Sequence, residues 1–463
     1  MKLWPLLLAG FVFTGCAHFT PKPISSADSA ARFEQRSLAA ESLHHYAETN
    51  LQRAFPSWPP ATWDLETLTL AAFYFNPDLA VARANYESVS AGKITAAQRP
   101  NPTASVSPVY NTTTAIPSPW LVTATLDVPI ETAGKRAYRR AQATHLSDAA
   151  RFMLASATWD VRVRLRRALL EWWAAERSEI LLSEQQDAQK AIVRLLEAEQ
   201  AAGGITPAEV SRERMALEQT KLARLDAESR RAQARSQLAG VMGLPTSALD
   251  GINISFAAFE QPPAELPSTE ACCRALLNRS DVMAALADYA TSESALQLEI
   301  ARQYPDIHLN PGYEFDQGNN KWGVGLSFEL PVLNQNRGPI AEAEARRCES
   351  AAKFNALQAR VIGEIGAALA GCRNAGQKFA VTTELLSQAQ KQEHATEAMA
   401  KAGELSRQAV AAARLETANI GLARLDALLK VQQAAATLEN ALQLPLELPE
   451  SLINAPVQMK SQP

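Results

Sequence analysis

The chain has 463 residues, of which 47% are hydrophobic, 20% charged and 6% aromatic, a balance that suits a folded protein and excludes a disordered or collagen-like one. Lys plus Arg number 45 and Asp plus Glu 49, a formal charge of -4, so no basic excess is present to neutralise a phosphate backbone and no nucleic-acid partner is expected. Only 20 glycines and 26 prolines interrupt stretches dominated by Ala, Leu, Glu, Gln and Arg, which predicts long helices.

Leu3 to Phe13 is an apolar run of about 11 residues, short of the roughly 20 that a membrane-spanning helix needs. With Lys2 before it and Phe13-Thr14-Gly15-Cys16 closing it, residues 1–15 read as a lipoprotein-type signal, with Phe13 where such signals usually have leucine. An ordinary cleaved signal with an incidental cysteine is the alternative. Residues 16–60 are set apart as an N-terminal periplasmic segment without assigned structure.

The rest reads as a duplication. An Ala-rich helical stretch opens at Pro77-Asp78-Leu79 and another at Ser280-Asp281-Val282, and each meets proline, at Arg99-Pro100-Asn101-Pro102 and Tyr304-Pro305-Asp306. Trp120 and Pro129 then stand nine residues apart, as do Trp322 and Pro331. Long helical sequence follows from Gly134 and from Gly338, breaks at Gly203-Gly204-Ile205-Thr206 and Gly403-Glu404-Leu405-Ser406, and resumes to Gly243 or Leu444. Residues 61–250 and 251–445 are therefore two repeats of helix, strand, strand, long helix, turn, long helix, with helical hairpins at about 134–243 and 338–444, and 446–463 is a C-terminal tail.

Strands are predicted at about 103–111, 120–129, 306–316 and 321–330 from period-two alternation. Trp322, Val324, Leu326, Phe328 and Leu330 point one way, as do Trp120, Val122, Ala124, Leu126 and Val128. The opposite, polar face carries Thr123, Thr125, Asp127, Asp306, His308, Asn310, Glu314, Asp316, Ser327 and Glu329, a set that would attract cations. Ten-residue strands with one apolar and one polar face fit a transmembrane β-barrel with a wet lumen, and a soluble two-sheet domain fits the same alternation. Four strands cannot close a barrel, which needs about eight, and lipid tolerates no open sheet edge. Two copies would supply eight strands and three copies twelve; alternation alone does not choose.

Gly134 to Ala202, about 69 residues, would reach roughly 100 Å as a continuous helix. Leu415, Ala418, Leu422, Leu425 and Leu429 follow a coiled-coil seam, while Arg162, Arg166, Glu176 and Arg177 are expected on a solvated face. Pro207 and the oxygens of Thr206 and Ser406 suit the first turns of returning helices. Cys272, Cys273, Cys348 and Cys372 lack zinc spacing, and the six histidines are scattered but for one adjacent pair. No nucleophile array or phosphate loop is found, so neither an enzyme, a cofactor nor a metal centre is expected.

Tyr304-Pro305-Asp306-Ile307, Leu330-Pro331-Val332-Leu333-Asn334-Gln335-Asn336-Arg337-Gly338 and Gly403-Glu404-Leu405-Ser406 resemble the TolC-like outer-membrane factor family. The second motif is most similar to its lipoprotein subgroup for heavy-metal and cation efflux. The resemblance implies a mainly α fold with a transmembrane β-barrel contribution: a homotrimer of twelve barrel strands continued by a twelve-helix periplasmic tunnel. It implies lipidation of Cys16, with Ala17 favouring the outer membrane. It also implies that Gly203, Gly204, Thr206, Glu209, Gly403, Glu404, Ser406 and Arg407 form periplasmic tips that gate the tunnel and dock an adaptor. Gln408 and Ala409 replace an acidic position common in the family, which leaves the ion preference of the entrance open. The implied partners are a periplasmic adaptor, an inner-membrane pump of the resistance-nodulation-division type and outer-membrane lipid. Rival readings are a periplasmic coiled-coil adaptor or scaffold, a lipoprotein enzyme, and a drug-efflux or type I secretion duct of the same fold.

Overall fold

Local chemistry sets the helix starts. The computed structural model describes residues 18–113, 117–263 and 276–445; Cys16, Cys272 and Cys273 lie outside them. In the N-terminal part α1 spans Ser26–Glu34, α2 Glu41–Leu51, α3 Leu65–Phe75 and α4 Pro77–Ala97. Asp64 caps α3 by accepting from the Thr67 N–H at 2.8 Å, and Asn76 caps α4 by accepting from Asp78 and Leu79, with Pro77 at the position where a missing N–H costs nothing. Then follow β1 Thr103–Tyr110, β2 Trp120–Ile130, α5 Lys135–Ala201 and α6 Pro207–Met242. The second half has α7 Ser280–Ala301, β3 Ile307–Asp316, β4 Asn319–Phe328, α8 Arg337–Lys401 and α9 Arg407–Leu442. The duplicated order expected from the sequence is thus the order observed.

The four strands form one antiparallel sheet, β1-β2-β3-β4, in which β2 of the first half pairs with β3 of the second. Neighbours in register include Val106, Ala124, Tyr313 and Trp322 on one face, and Ser107, Thr123, Glu314 and Lys321 on the other. β4 begins and ends two residues earlier than its alternation suggests. The tight turn at Gln317-Gly318 sets Asn319 opposite Asp316, and beyond Phe328 the Val332 N–H turns back onto the Leu330 carbonyl at 2.8 Å. Glu329 therefore lies past the strand rather than on its polar face.

The main core lies where α3, α5, α6 and α9 meet, around Leu68, Phe73, Leu165, Leu169, Leu238 and Leu428. Leu38, Leu43, Tyr46 and Trp63 join it, so part of the N-terminal segment left unassigned by the sequence is packed structure. Arg36 ties that segment down: its guanidinium donates to the Phe75 carbonyl at 3.1 Å and the Gly243 carbonyl at 2.7 Å. Gly243 is required there, because its φ is +74° and a Cβ would sit 2.5 Å from the Phe75 oxygen. A smaller cluster of Val282, Val361, Ile365, Leu438 and Leu442 joins α7, α8 and α9.

The solvated face expected at Arg162 and Arg166 is overturned. Both are buried, and Arg162 grips the Glu439 carboxylate of α9 with two hydrogen bonds of 3.1 and 3.2 Å. Arg166 lies 3.2 Å from the same carboxylate and donates to Gln432, whose amide donates in turn to the carbonyls of Ala258 and Gln261. Buried charge persists where it is paired and hydrogen-bonded, and α9 supplies both conditions. Arg177 is exposed as expected and pairs with Glu260.

Candidate conduit: a two-faced sheet and paired hairpin tips

The polar face of the sheet is a connected array. Ser105 and Thr125 hydroxyls lie 2.6 Å apart, and Asn310 donates to the Ser327 hydroxyl at 3.0 Å. His308 Nδ1 lies 2.9 and 3.1 Å from the two Asp127 oxygens. The register and strand alternation put Thr123, Thr125, Asp127, His308, Asn310, Glu314, Asp316 and Ser327 on this face. Sequence reasoning missed Lys321. Its ammonium, opposite Glu314 in register, lies 2.6 Å from Asp316 and 3.4 Å from Glu314, and so offsets the carboxylates that the alternation counted. Asp306, also expected on this face, precedes β3 and is engaged: Lys135 Nζ donates to it at 2.8 Å and the Thr132 N–H at 3.0 Å. Among the described residues no three His, Cys, Asp or Glu groups are arranged to hold a metal.

The opposite face is apolar and bare. Val106, Trp322, Val324, Leu326 and Phe328 are all exposed, Trp322 by 82%. Tyr110 and Trp120 pack edge to face at the hairpin end of the sheet, and Tyr313 packs on Trp322. Among the described residues β1 and β4 each have a neighbouring strand on one side only, so a row of backbone N–H and C=O groups is open at both edges. These four strands are the only sheet among the described residues, so the two-sheet alternative finds no second sheet there.

At the far ends of the hairpins the two halves repeat each other. Gly203 and Gly403 end the long helices at φ +79° and +83°, and the N–H groups of Gly204 and Glu404 both turn back onto carbonyls five residues earlier at 2.9 Å. Glu209 accepts from the Thr206 N–H at 3.2 Å, and Ser406 Oγ accepts from the Ala409 N–H at 3.2 Å. Arg214 binds Glu197 through Nη2 at 2.5 Å, and Arg414 binds Glu397 through Nη2 at 2.6 Å. That second hydrogen bond holds the Glu397 carboxyl below its usual range. Ile192, Leu196, Val210 and Ala411 glue the two hairpins just above the tips. Beside them runs a groove of about 800 Å³ whose walls include Asp187, Arg194, Glu393, Arg407 and Arg414.

A helical body carrying a small open antiparallel sheet is the fold class of solved outer membrane efflux channels. CusC superposes with a TM-score of 0.66 at 17% identity, covering 85% of this chain and 95% of that one. VceC of Vibrio cholerae gives 0.66 at 20% identity over 84% and 100%, and CmeC of Campylobacter jejuni 0.66 at 16% over 92% and 94%. Residues 72–244 and 272–443 match the family model described as outer membrane efflux protein, one stretch in each half. The chain belongs to that family, which is one of channels and not of enzymes. A curated relative is the cobalt-zinc-cadmium resistance protein CzcC of Cupriavidus metallidurans, 24% identical over 297 residues, 64% of this chain and 69% of that protein.

Proposed function

We propose that this protein is the outer-membrane duct of a tripartite efflux system, assembled as a homotrimer and exporting metal cations. The observation that carries the reading is the four-stranded sheet, two-faced and open at both edges. In lipid each unpaired backbone group costs several kcal/mol, so the edges must meet other copies, and three copies close twelve strands around the polar face. Metal cargo is supported by the resemblance to CzcC and by Asp127 and His308 on that face, where Glu314 and Asp316 are already paired with Lys321. These groups would make weak, exchangeable contacts with a passing cation, as a conduit requires.

The tips around Gly203, Gly204, Thr206 and Glu209, and around Gly403, Glu404, Ser406 and Arg407, would gate the periplasmic end and receive the adaptor. Energy would come from an inner-membrane pump of the resistance-nodulation-division type. Cys16, outside the described residues, would carry the lipid. The experiment is to extract the protein with detergent, weigh the native complex, measure conductance in planar bilayers, and test growth of a deletion strain on cobalt, zinc and cadmium salts. A trimer with channel conductance and metal sensitivity on deletion is the expected result. A water-soluble, non-conducting protein would leave the adaptor or scaffold reading standing, and sensitivity to drugs alone would reassign the cargo.

A further inference from the structure

The two connections from sheet to long helix differ in a way that the duplication does not explain. In the first half the connection Glu131-Thr132-Ala133-Gly134 is polar and tied to protein, Glu131 to Arg139 at 2.6 Å and Thr132 Oγ1 to the Pro305 carbonyl at 2.6 Å. In the second half Leu330-Pro331-Val332-Leu333 is apolar and bare, with Leu330 66%, Val332 77% and Leu333 99% exposed. This second turn is built rather than loose. Asn334 Oδ1 accepts from the Asn336 N–H at 3.0 Å, and Asn336 donates to the Glu299 carbonyl at 2.7 Å. Aliphatic side chains left this bare beside a hydrogen-bonded turn mark a surface that something else covers.

We infer that Leu330, Val332 and Leu333 form an anchor buried in the phospholipid of the outer membrane's periplasmic leaflet. The inference rests on the barrel reading above and extends it below the strands. The lipid-facing side chains of β2 run from Trp120 to Ile130, ten residues on, which is about 34 Å of strand and, at a tilt of roughly 40°, close to the apolar band of about 25 Å that a barrel presents. On β4 the corresponding run is Trp322 to Phe328, and the register sets Phe328 level with Ile130, so both runs end at the same rim. Leu330, Val332 and Leu333 follow directly below that rim and continue the bare apolar face of the sheet to the level where acyl chains meet headgroups.

The rim agrees. Ile130, Ile307 and Phe328 pair at the end of the sheet from which the helices leave, and Tyr304, 60% exposed, stands three residues before it, as an interfacial aromatic would. Arg337, exposed just beyond the turn, offers a cation to phosphate. A second copy is the weaker occupant. Antiparallel closure of β4 onto a neighbour's β1 would bring Gln98-Arg99-Pro100-Asn101-Pro102 alongside the turn, a segment with no Leu, Ile, Val or aromatic side chain.

The test places the photo-crosslinking residue p-benzoylphenylalanine at Leu333, at Val332 and, as a mid-barrel reference, at Leu326, in the full chain in its own outer membrane. Mass spectrometry of the irradiated protein should find phospholipid adducts at all three sites. A lipid adduct at Leu326 with only a protein–protein adduct, a lipopolysaccharide adduct or no adduct at Leu333 and Val332 overturns the anchor and leaves the barrel intact. No lipid adduct at any site, Leu326 included, overturns the barrel reading and the anchor with it.

Discussion

The two long helices α5 and α8 come from the same duplicated sequence and have nearly the same length, 67 and 65 residues, yet they occupy opposite situations. α5 buries side chains on almost every turn and packs against α3, α4, α6, α7 and α9. α8 buries only Ala343, Val361, Ile365, Ala368 and Cys372 and packs on α7 and α9. At the tips the halves keep the same ion pair, Glu197 with Arg214 against Glu397 with Arg414, each 200 positions apart. Nearer the sheet they part. Arg162 and Arg166 have Ile362 and Gly366 as counterparts, and Glu439 has Ala239. Duplication thus preserved the backbone programme of caps and reversals while the side chains adapted to a central helix in one half and a peripheral one in the other.

The sharpest way to break this contrast is at the buried ionic seam. Glu439→Leu removes the carboxylate that both Arg162 and Arg166 contact and should cost about 3–5 kcal/mol, read as a fall in the urea midpoint. Replacing all three charged residues with Leu and Met should cost less than the single change, since no charge then stays buried without its partner. A wild-type midpoint for Glu439→Leu would remove the seam from the account of why α5 is central. Next in size is the sheet. Leu326→Arg on the bare apolar face should cost about 2–4 kcal/mol near mid-bilayer and reduce the heat-stable assembled form on gels. Lys321→Met, on the other face, should leave assembly unchanged.

Much of this was readable in the sequence because it is local. The Trp-to-Pro spacing, the alternation in Trp322–Leu330 and the glycine breaks at 203 and 403 each act within a few residues, and the strands, reversals and polar face follow from them. What escaped depends on distant partners. Arg162 and Arg166 look solvated on an isolated helix, and their partners on α9 lie some 270 positions away. A signal did exist: Gln432 and Glu439 lie seven residues apart among Leu425, Leu428, Leu438 and Leu442, so polar residues sit at positions of a core seam. Lys321 escaped because the alternation was counted from Trp322. α3 escaped because Leu65–Phe75 is buried on all sides and so has no amphipathic period to find.

A smaller effect sharpens the contrast between central and peripheral helices. Val381 on α8 is 69% exposed, whereas its counterpart Leu181 on α5 packs against the main core. If α8 is peripheral in one copy because a neighbouring copy covers it, Val381→Asp should leave the fold of the single chain within about 0.5 kcal/mol of wild type and lower the trimer fraction in native mass spectrometry. Leu181→Asp should instead lower the unfolding midpoint of the chain itself. Equal trimer fractions for wild type and Val381→Asp would mean that this stretch of α8 faces solvent in the assembly.

The smallest expected effect concerns how each return helix is tied to the start of its half. In the first half the carbonyls at the end of α6 receive Asn76, which donates to Val241 at 2.6 Å, and Arg36, which donates to Gly243 at 2.7 Å, with no carboxylate in either contact. In the second, Arg279 donates to the Ala441 carbonyl at 2.5 Å while Asp281 holds its guanidinium by hydrogen bonds of 3.0 and 2.7 Å. Burial alone would push the Asp281 carboxyl up, but the Arg279 hydrogen bonds and charge, with the Val282 N–H, outweigh it and hold it below its ordinary value. A depressed native pKa stabilises the fold above the unfolded value of about 3.9 and loses that contribution as pH falls through the native one. The joint between α7 and α9 should therefore loosen first in acid. Amide exchange at the end of α9 should accelerate relative to the end of α6 as pH falls below the unfolded value of about 3.9, and Asp281→Asn should abolish this pH dependence by making the second joint equally loose at neutral pH. Exchange that accelerates equally at both joints would show that the two halves are fastened by the same means after all.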